Sequence, residues 1–173
     1  MNIIFLDVDG VLNSLKYLNY YCELTNTKSY NGINYPFDPE CLSNLKKIVE
    51  ATQAKIVVTS TWRKKDSNRM KLLEVLKEYD LDKEVVGWTP VLGTSTVGPT
   101  RGHEIYAYLT TMLNWPQNFV ILDDANIYMD DYLPHLIKIN GYNGLTEENV
   151  KEAITKLCSV QEADYIMAKK NNL

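Results

Sequence analysis

An apolar run near the start of the chain ends in Asp7-Val8-Asp9-Gly10, and a later one ends in Asp123-Asp124. Between them a third apolar run ends in hydroxyls, Thr59-Ser60-Thr61. Carboxylates gathered in one place repel, and some would hold protons. A bound divalent cation reverses that preference. Oxygen ligands without His or Cys suit a hard ion such as Mg²⁺. A DxD taken alone is as well explained by a helix cap. Two acidic strand ends with a hydroxyl-bearing strand end between them point instead to a metal-assisted site.

The elements that would position these residues follow from periodicity. Asn2–Leu6, Ala54–Thr59 and Asn118–Leu122 are short, nearly continuous apolar runs, as expected of strands covered on both faces. Glu84–Trp88 and Leu136–Ile139 are weaker strand candidates. Leu42, Leu45, Ile48 and Val49 share one face of a helix over Pro39–Thr52. Leu72, Leu73, Leu76 and Tyr79 mark a second helix after Asp66. Ile105, Leu109, Met112 and Leu113 mark a third, and Val150, Ile154 and Leu157 a fourth, with Thr146 and Asn149 placed to cap it. Strands alternating with helices imply right-handed crossovers and a mainly parallel sheet, with ligands bound beyond the C-terminal strand ends. Two connections break the alternation. Asn13–Asp38 is rich in Tyr and Asn without a clear period, and Thr89–Thr100 is rich in Gly, Pro, Thr and Ser. Loops of this length commonly act as lids or binding loops. The tail Lys169–Leu173 is expected to fray.

Composition narrows the classes of function. The chain of 173 residues is 45% hydrophobic and 23% charged, which excludes disorder, collagen and coiled coil for the whole and fits one globular domain over 1–173. Net charge −4 argues against a generally basic nucleic-acid binder. The three cysteines, Cys22, Cys41 and Cys158, form no CxxC pair, so neither a disulfide framework nor a four-cysteine zinc site is expected. Asp7 and Asp9 interrupt the only apolar stretch near the N-terminus, and no run is long enough to span a membrane. The expectation is a soluble cytoplasmic protein with no membrane partner and no stable protein partner.

Three segments carry a family resemblance. FLDVDGVLN (Phe5–Asn13), IVVTSTWR (Ile56–Arg63) and VILDDANIYMDD (Val120–Asp131) resemble the first, second and fourth motifs of the haloacid dehalogenase (HAD) superfamily. STWR, RGHEIYAYL (Arg101–Leu109) and the late Gly144-Leu145-Thr146 resemble more closely the HAD domain associated with Swiss Army Knife RNA repair proteins. The resemblance implies a three-layer, doubly wound α/β fold with strand order 5-4-1-2-3. It implies an Mg²⁺-dependent phosphatase working through an aspartyl phosphate. Asp7 would be the nucleophile. Asp9 would be the general acid/base and lend its backbone carbonyl to the metal. Asp124 would bind the metal, and Asp123 would bind it or support it, with Asp130 or Asp131 holding metal-bound waters. Thr59 would hydrogen-bond the transferring phosphoryl group, with Ser60 as the rival. Gly10 would let the chain turn just beyond the nucleophile, beside the substrate. The superfamily's third motif is usually a lysine. Here the residue preceding the third helix is Arg101, which would neutralise the same charge with a planar fork. Dehalogenation fits less well, since that branch needs no acid two residues after the nucleophile. A module that binds phosphate without turnover is the rival from another class.

Clues to the substrate are fewer. Trp62, Arg63, Lys64, Lys65, Arg69 and Lys71 make the densest basic stretch, beside the expected site. Arg63, nearest the strand end, is expected to touch the reacting phosphate, and the lysines could grip a nucleic-acid backbone. Tyr17, Tyr20, Tyr21, Tyr30 and Tyr35 either stack bases or pack their loop onto the body. The gap of about 25 residues after the first motif is too short for a large cap domain, so the cap is small or absent. An open site of that kind accepts a phosphate at the end of a polymer as well as a small metabolite. His103 and His135 lack metal-ligand spacing and are expected to be structural.

Overall fold

The computed structural model describes residues 1–27, 35–93, 100–125 and 130–159. Five strands form one sheet: β1 (Ile3–Leu6), β2 (Lys55–Val58), β3 (Val85–Trp88), β4 (Phe119–Asp123) and β5 (Leu136–Lys138). All pair in parallel, in the order β3-β2-β1-β4-β5, which is the order the resemblance implies. The helices are α1 (Leu15–Thr25), α2 (Pro39–Thr52), α3 (Asp66–Lys77), α4 (Arg101–Thr111) and α5 (Glu147–Cys158). The fold is thus a doubly wound α/β sandwich, and β1 and β4 flank the point where the strand order reverses.

Alternation along the strands divides the core in two. Ile4, Leu6, Ile56, Val58, Val120 and Leu122 face one layer, packed by the buried residues of α2, α3 and α5. Ile3, Phe5, Val57, Phe119 and Ile121 face the other, where α4 supplies Ile105 and Leu109. Among the described α-helices only α4 packs on that second face. With both faces covered, the central strands are apolar throughout, as their sequences require.

Local chemistry sets the helix boundaries. Pro39 opens α2 behind Asp38, whose Oδ1 accepts the Glu40 N–H at 2.9 Å. Thr146 and Asn149 cap α5 reciprocally. The segment Asn13–Asp38 departs from its expectation as an element-free loop, because it contains α1. Ser14 caps that helix, and its hydroxyl also donates to Asp38 at 2.6 Å, joining the starts of α1 and α2. Only Leu18 of α1 is buried, so the helix shows almost no apolar period in sequence. Tyr30, residues 94–99 of the second long connection, and the tail lie outside the described residues.

Candidate active site

The sheet delivers the acidic residues to one place. Asp7 continues past β1, its N–H donating to Leu122 O at 2.9 Å, and Thr59 continues past β2, its N–H donating to Leu6 O at 2.8 Å. Asp7 keeps the parity of Ile3 and Phe5, Thr59 that of Val57, and Asp123 that of Phe119 and Ile121. All three therefore belong to the face that carries α4. Arg101, the first residue of α4, reaches both acids. It pairs with Asp7 Oδ2 at 2.9 Å and with Asp123 Oδ2. Burial alone would lower the pKa of this arginine, but Asp7 and Asp123 together raise it. Arg101 thus places its charge between the two acids from the start of α4.

Asp7, Asp123 and Asp124 each offer an oxygen, and the three lie within 4.8 Å of one another. The fully buried Asp123 has both oxygens engaged. Oδ1 accepts the Ala125 N–H at 2.8 Å and Oδ2 accepts from Arg101. Burial, reinforced by the charge of Asp7, pushes its pKa up to about 6. Burial and Asp7 also raise Asp124. Burial first, and the neighbouring carboxylate second, hold these acids up, and a bound cation would offset both effects. Asp124 lies in a slot between two glycines. A Cβ on Gly10 would come within 2.5 Å of Asp124 Oδ2, and one on Gly141 within 2.9 Å. Gly10 also holds φ +75°, a conformation other residues adopt only with strain. The donor set is all oxygen, as a hard divalent ion requires.

Asp9 stands apart from this trio and is exposed. Its Oδ1 accepts from Asn13 Nδ2 at 2.8 Å, and both its oxygens lie 3.1 Å from Trp62 Nε1. Asn13 Oδ1 in turn accepts the Gly10 N–H at 2.8 Å, which fixes the orientation of the amide. Asp9, Asn13, Leu15, Tyr35, Trp62 and Asn68 line a cleft of about 420 Å³ on this side. Of the two rival hydroxyls, Ser60 Oγ accepts the Trp62 N–H at 3.4 Å. Thr59 Oγ1 is buried with no hydrogen-bond partner. Thr59 Oγ1 is thus an orphaned buried hydroxyl one residue beyond β2.

Arg63 corrects its expected role. It turns inward and is 2% exposed. Nε donates to Thr89 O at 2.9 Å, one terminal nitrogen donates to the carbonyls of Thr59 and Ser60, and the other donates to Pro90 O and pairs with Glu104. Those contacts use all five donors, so none is left for a substrate phosphate. Arg69, only half-buried, lies over the Trp88 ring at 5.3 Å and donates Nε to the Arg63 carbonyl. Lys64 and Lys65 remain exposed. The side chains of Asp130 and Asp131 lie outside what the structure describes. His103 pairs with Thr100 at the start of α4, and His135 stacks on Phe119. Sequence reasoning assigned no part to Asn13 or Gly141, and counted Trp62 only within the basic stretch. The signal for the first and third was present in the motifs themselves, Asn13 closing DVDGVLN and Trp62 standing within STWR.

A parallel sheet of this order, with paired acids at the reversal point and a cation bridging them, defines a HAD-type α/β domain. The family model described as the HAD domain in Swiss Army Knife RNA repair proteins matches residues 3–150. The chain belongs to that family. No curated protein and no solved structure matches it.

Proposed function

We propose that this protein is an Mg²⁺-dependent phosphomonoesterase whose nucleophile is Asp7, and that it acts on phosphorylated nucleic-acid ends. The observation that carries the reading is Arg101 bridging Asp7 and Asp123 while Asp124 closes the oxygen trio. Asp7 and Asp124 would hold the ion, joined by the Asp9 carbonyl, with Asp123 oriented by Arg101 as ligand or support. When bound, the ion supplies positive charge against the phosphoryl oxygens and keeps the acids ionised. Asp7 attacks phosphorus to form the aspartyl phosphate. Arg101 neutralises charge on Asp7 and on the phosphoryl oxygens. Thr59 donates its free hydroxyl to one of those oxygens. Asp9, which lines the cleft, protonates the departing oxygen and later deprotonates water.

Lys64 and Lys65 support the polymer assignment. They are exposed and lie in sequence between Trp62 and Asn68, both of which line the cleft. In the test, Mg²⁺-dependent hydrolysis of an aryl phosphate and of a phosphorylated oligonucleotide is measured with and without EDTA. Acid-quenched phosphoenzyme is counted alongside. Asp7→Asn should lose both turnover and phosphoenzyme while keeping its fold. Phosphate binding without any turnover would favour the interaction module instead.

A further inference from the structure

We propose that Trp62 is a positioning residue for Asp9, its indole N–H holding the carboxyl group so that Oδ2 is the oxygen that carries the transferring proton. The inference rests on the reading of Asp9 as general acid/base. An exposed carboxylate ordinarily samples several rotamers. This one is gripped by two neutral donors from different parts of the chain. Asn13 takes Oδ1 alone, so Oδ1 receives two donors and Oδ2 shares one. Oδ2 is therefore the less encumbered oxygen. Trp62 is itself closely packed, being 3% exposed, with Phe37 edge-on to its ring at 5.3 Å. The donor thus comes from a side chain whose rotamer is held by packing.

The proton steps balance as follows. Asp7 attacks phosphorus, the bond from phosphorus to the leaving oxygen breaks, and Asp9 Oδ2–H gives its proton to that oxygen. Water then attacks phosphorus and gives a proton to Asp9 Oδ2. The bond from phosphorus to Asp7 breaks, which frees phosphate and restores the Asp7 carboxylate. An alkoxide leaving group needs the first proton, whereas nitrophenolate does not. Both substrates need the second transfer.

A buried indole N–H needs an acceptor in any case, so a purely structural role for the contact must be separable. Leaving-group dependence separates it. In Trp62→Phe, with Mg²⁺ present, single-turnover cleavage of a phosphorylated oligonucleotide should fall about 10- to 100-fold, as loss of a hydrogen bond to a charged group predicts. The pre-steady-state burst of nitrophenolate from nitrophenyl phosphate should keep its rate, while the steady state slows. Replacing Trp62 by benzothienylalanine keeps the ring shape, removes only the N–H, and should give the same pattern if the Phe variant folds poorly. Equal losses in burst and steady state, or no loss in either variant, would overturn the assignment. Asp9→Asn run in parallel separates the two failures. If it is crippled while both Trp62 variants are normal, only the role of Trp62 falls. If Asp9→Asn retains oligonucleotide turnover, the acid/base reading and this proposal fall together.

Discussion

Replacing Arg63 tests whether this arginine serves the fold or the substrate. In Arg63→Met the Glu104 carboxylate loses its buried partner, and four carbonyls from Thr59, Ser60, Thr89 and Pro90 lose a donor. Removing one member of a buried ion pair costs about 3–5 kcal/mol. For a chain of this size each kcal/mol moves the Tm by roughly 2–4 °C, so the variant should melt roughly 6–20 °C below the parent. Burial already pushes the pKa of Arg63 down, with Glu104 pulling the other way, as expected where the charge is held by its acceptors and not by water. Arg63→Met with Glu104→Leu replaces the pair by apolar groups and should regain part of the loss. A double-mutant cycle should then show coupling of about 2 kcal/mol or more. The assay is thermal and urea unfolding of all four proteins, with aryl phosphate turnover measured well below each midpoint. An Arg63→Met protein that melts within about 2 °C of the parent but has lost its turnover would refute the structural role and return Arg63 to the substrate.

Three further outcomes are expected. Gly10→Ala should lose more activity than stability. The strained φ costs about 1–2 kcal/mol, while the new methyl group displaces the Asp124 carboxylate, which Mg²⁺ titration of turnover would register as a higher Mg²⁺ concentration at half-maximal rate. A thiol reagent on the native protein should label exposed Cys158 at once and leave Cys41 untouched until denaturant is added. Cys41 is buried and its thiol is pushed up to about 12 by that burial and by Asp38, so peptide mapping that finds early Cys41 labelling would contradict the packing. Lys64→Ala with Lys65→Ala should raise KM for a phosphorylated oligonucleotide and flatten its salt dependence, by a slope of about 0.7 per lost contact on a single strand. Aryl phosphate hydrolysis should hold steady, and equal effects on both substrates would count against the polymer assignment.

The sheet was legible because buried parallel strands must be apolar on both faces, and Ile3–Leu6 and Phe119–Ile121 leave little room for another reading. Asp7, Asp123 and Asp124 were legible for a related reason. Carboxylates abutting such runs can only lie at strand ends, where the topology collects them. The position of Arg101 followed from its place before a helix. The failures have physical causes too. Helix α1 buries one residue, so no period betrayed it. Arg63 shows its charge in sequence but not its acceptors. Four of those are backbone carbonyls, and the fifth, Glu104, lies 41 residues away. Asp9 was assigned its chemistry without its setting, because the indole that grips it comes from another strand end, 53 residues on.

The first turn of α4 has two duties at once. Arg101 and Glu104, three residues apart, anchor it to β1 and β4 on one side and, through Arg63, to the end of β2 on the other. Fraying of the first turn is ordinarily the cheapest motion open to a helix. Here it would release the counter-charge of Asp7 and unseat the loop that carries Thr59. Small openings far short of unfolding would therefore silence the site. Amide exchange in this one turn should track loss of activity on warming, well before the central strands begin to exchange.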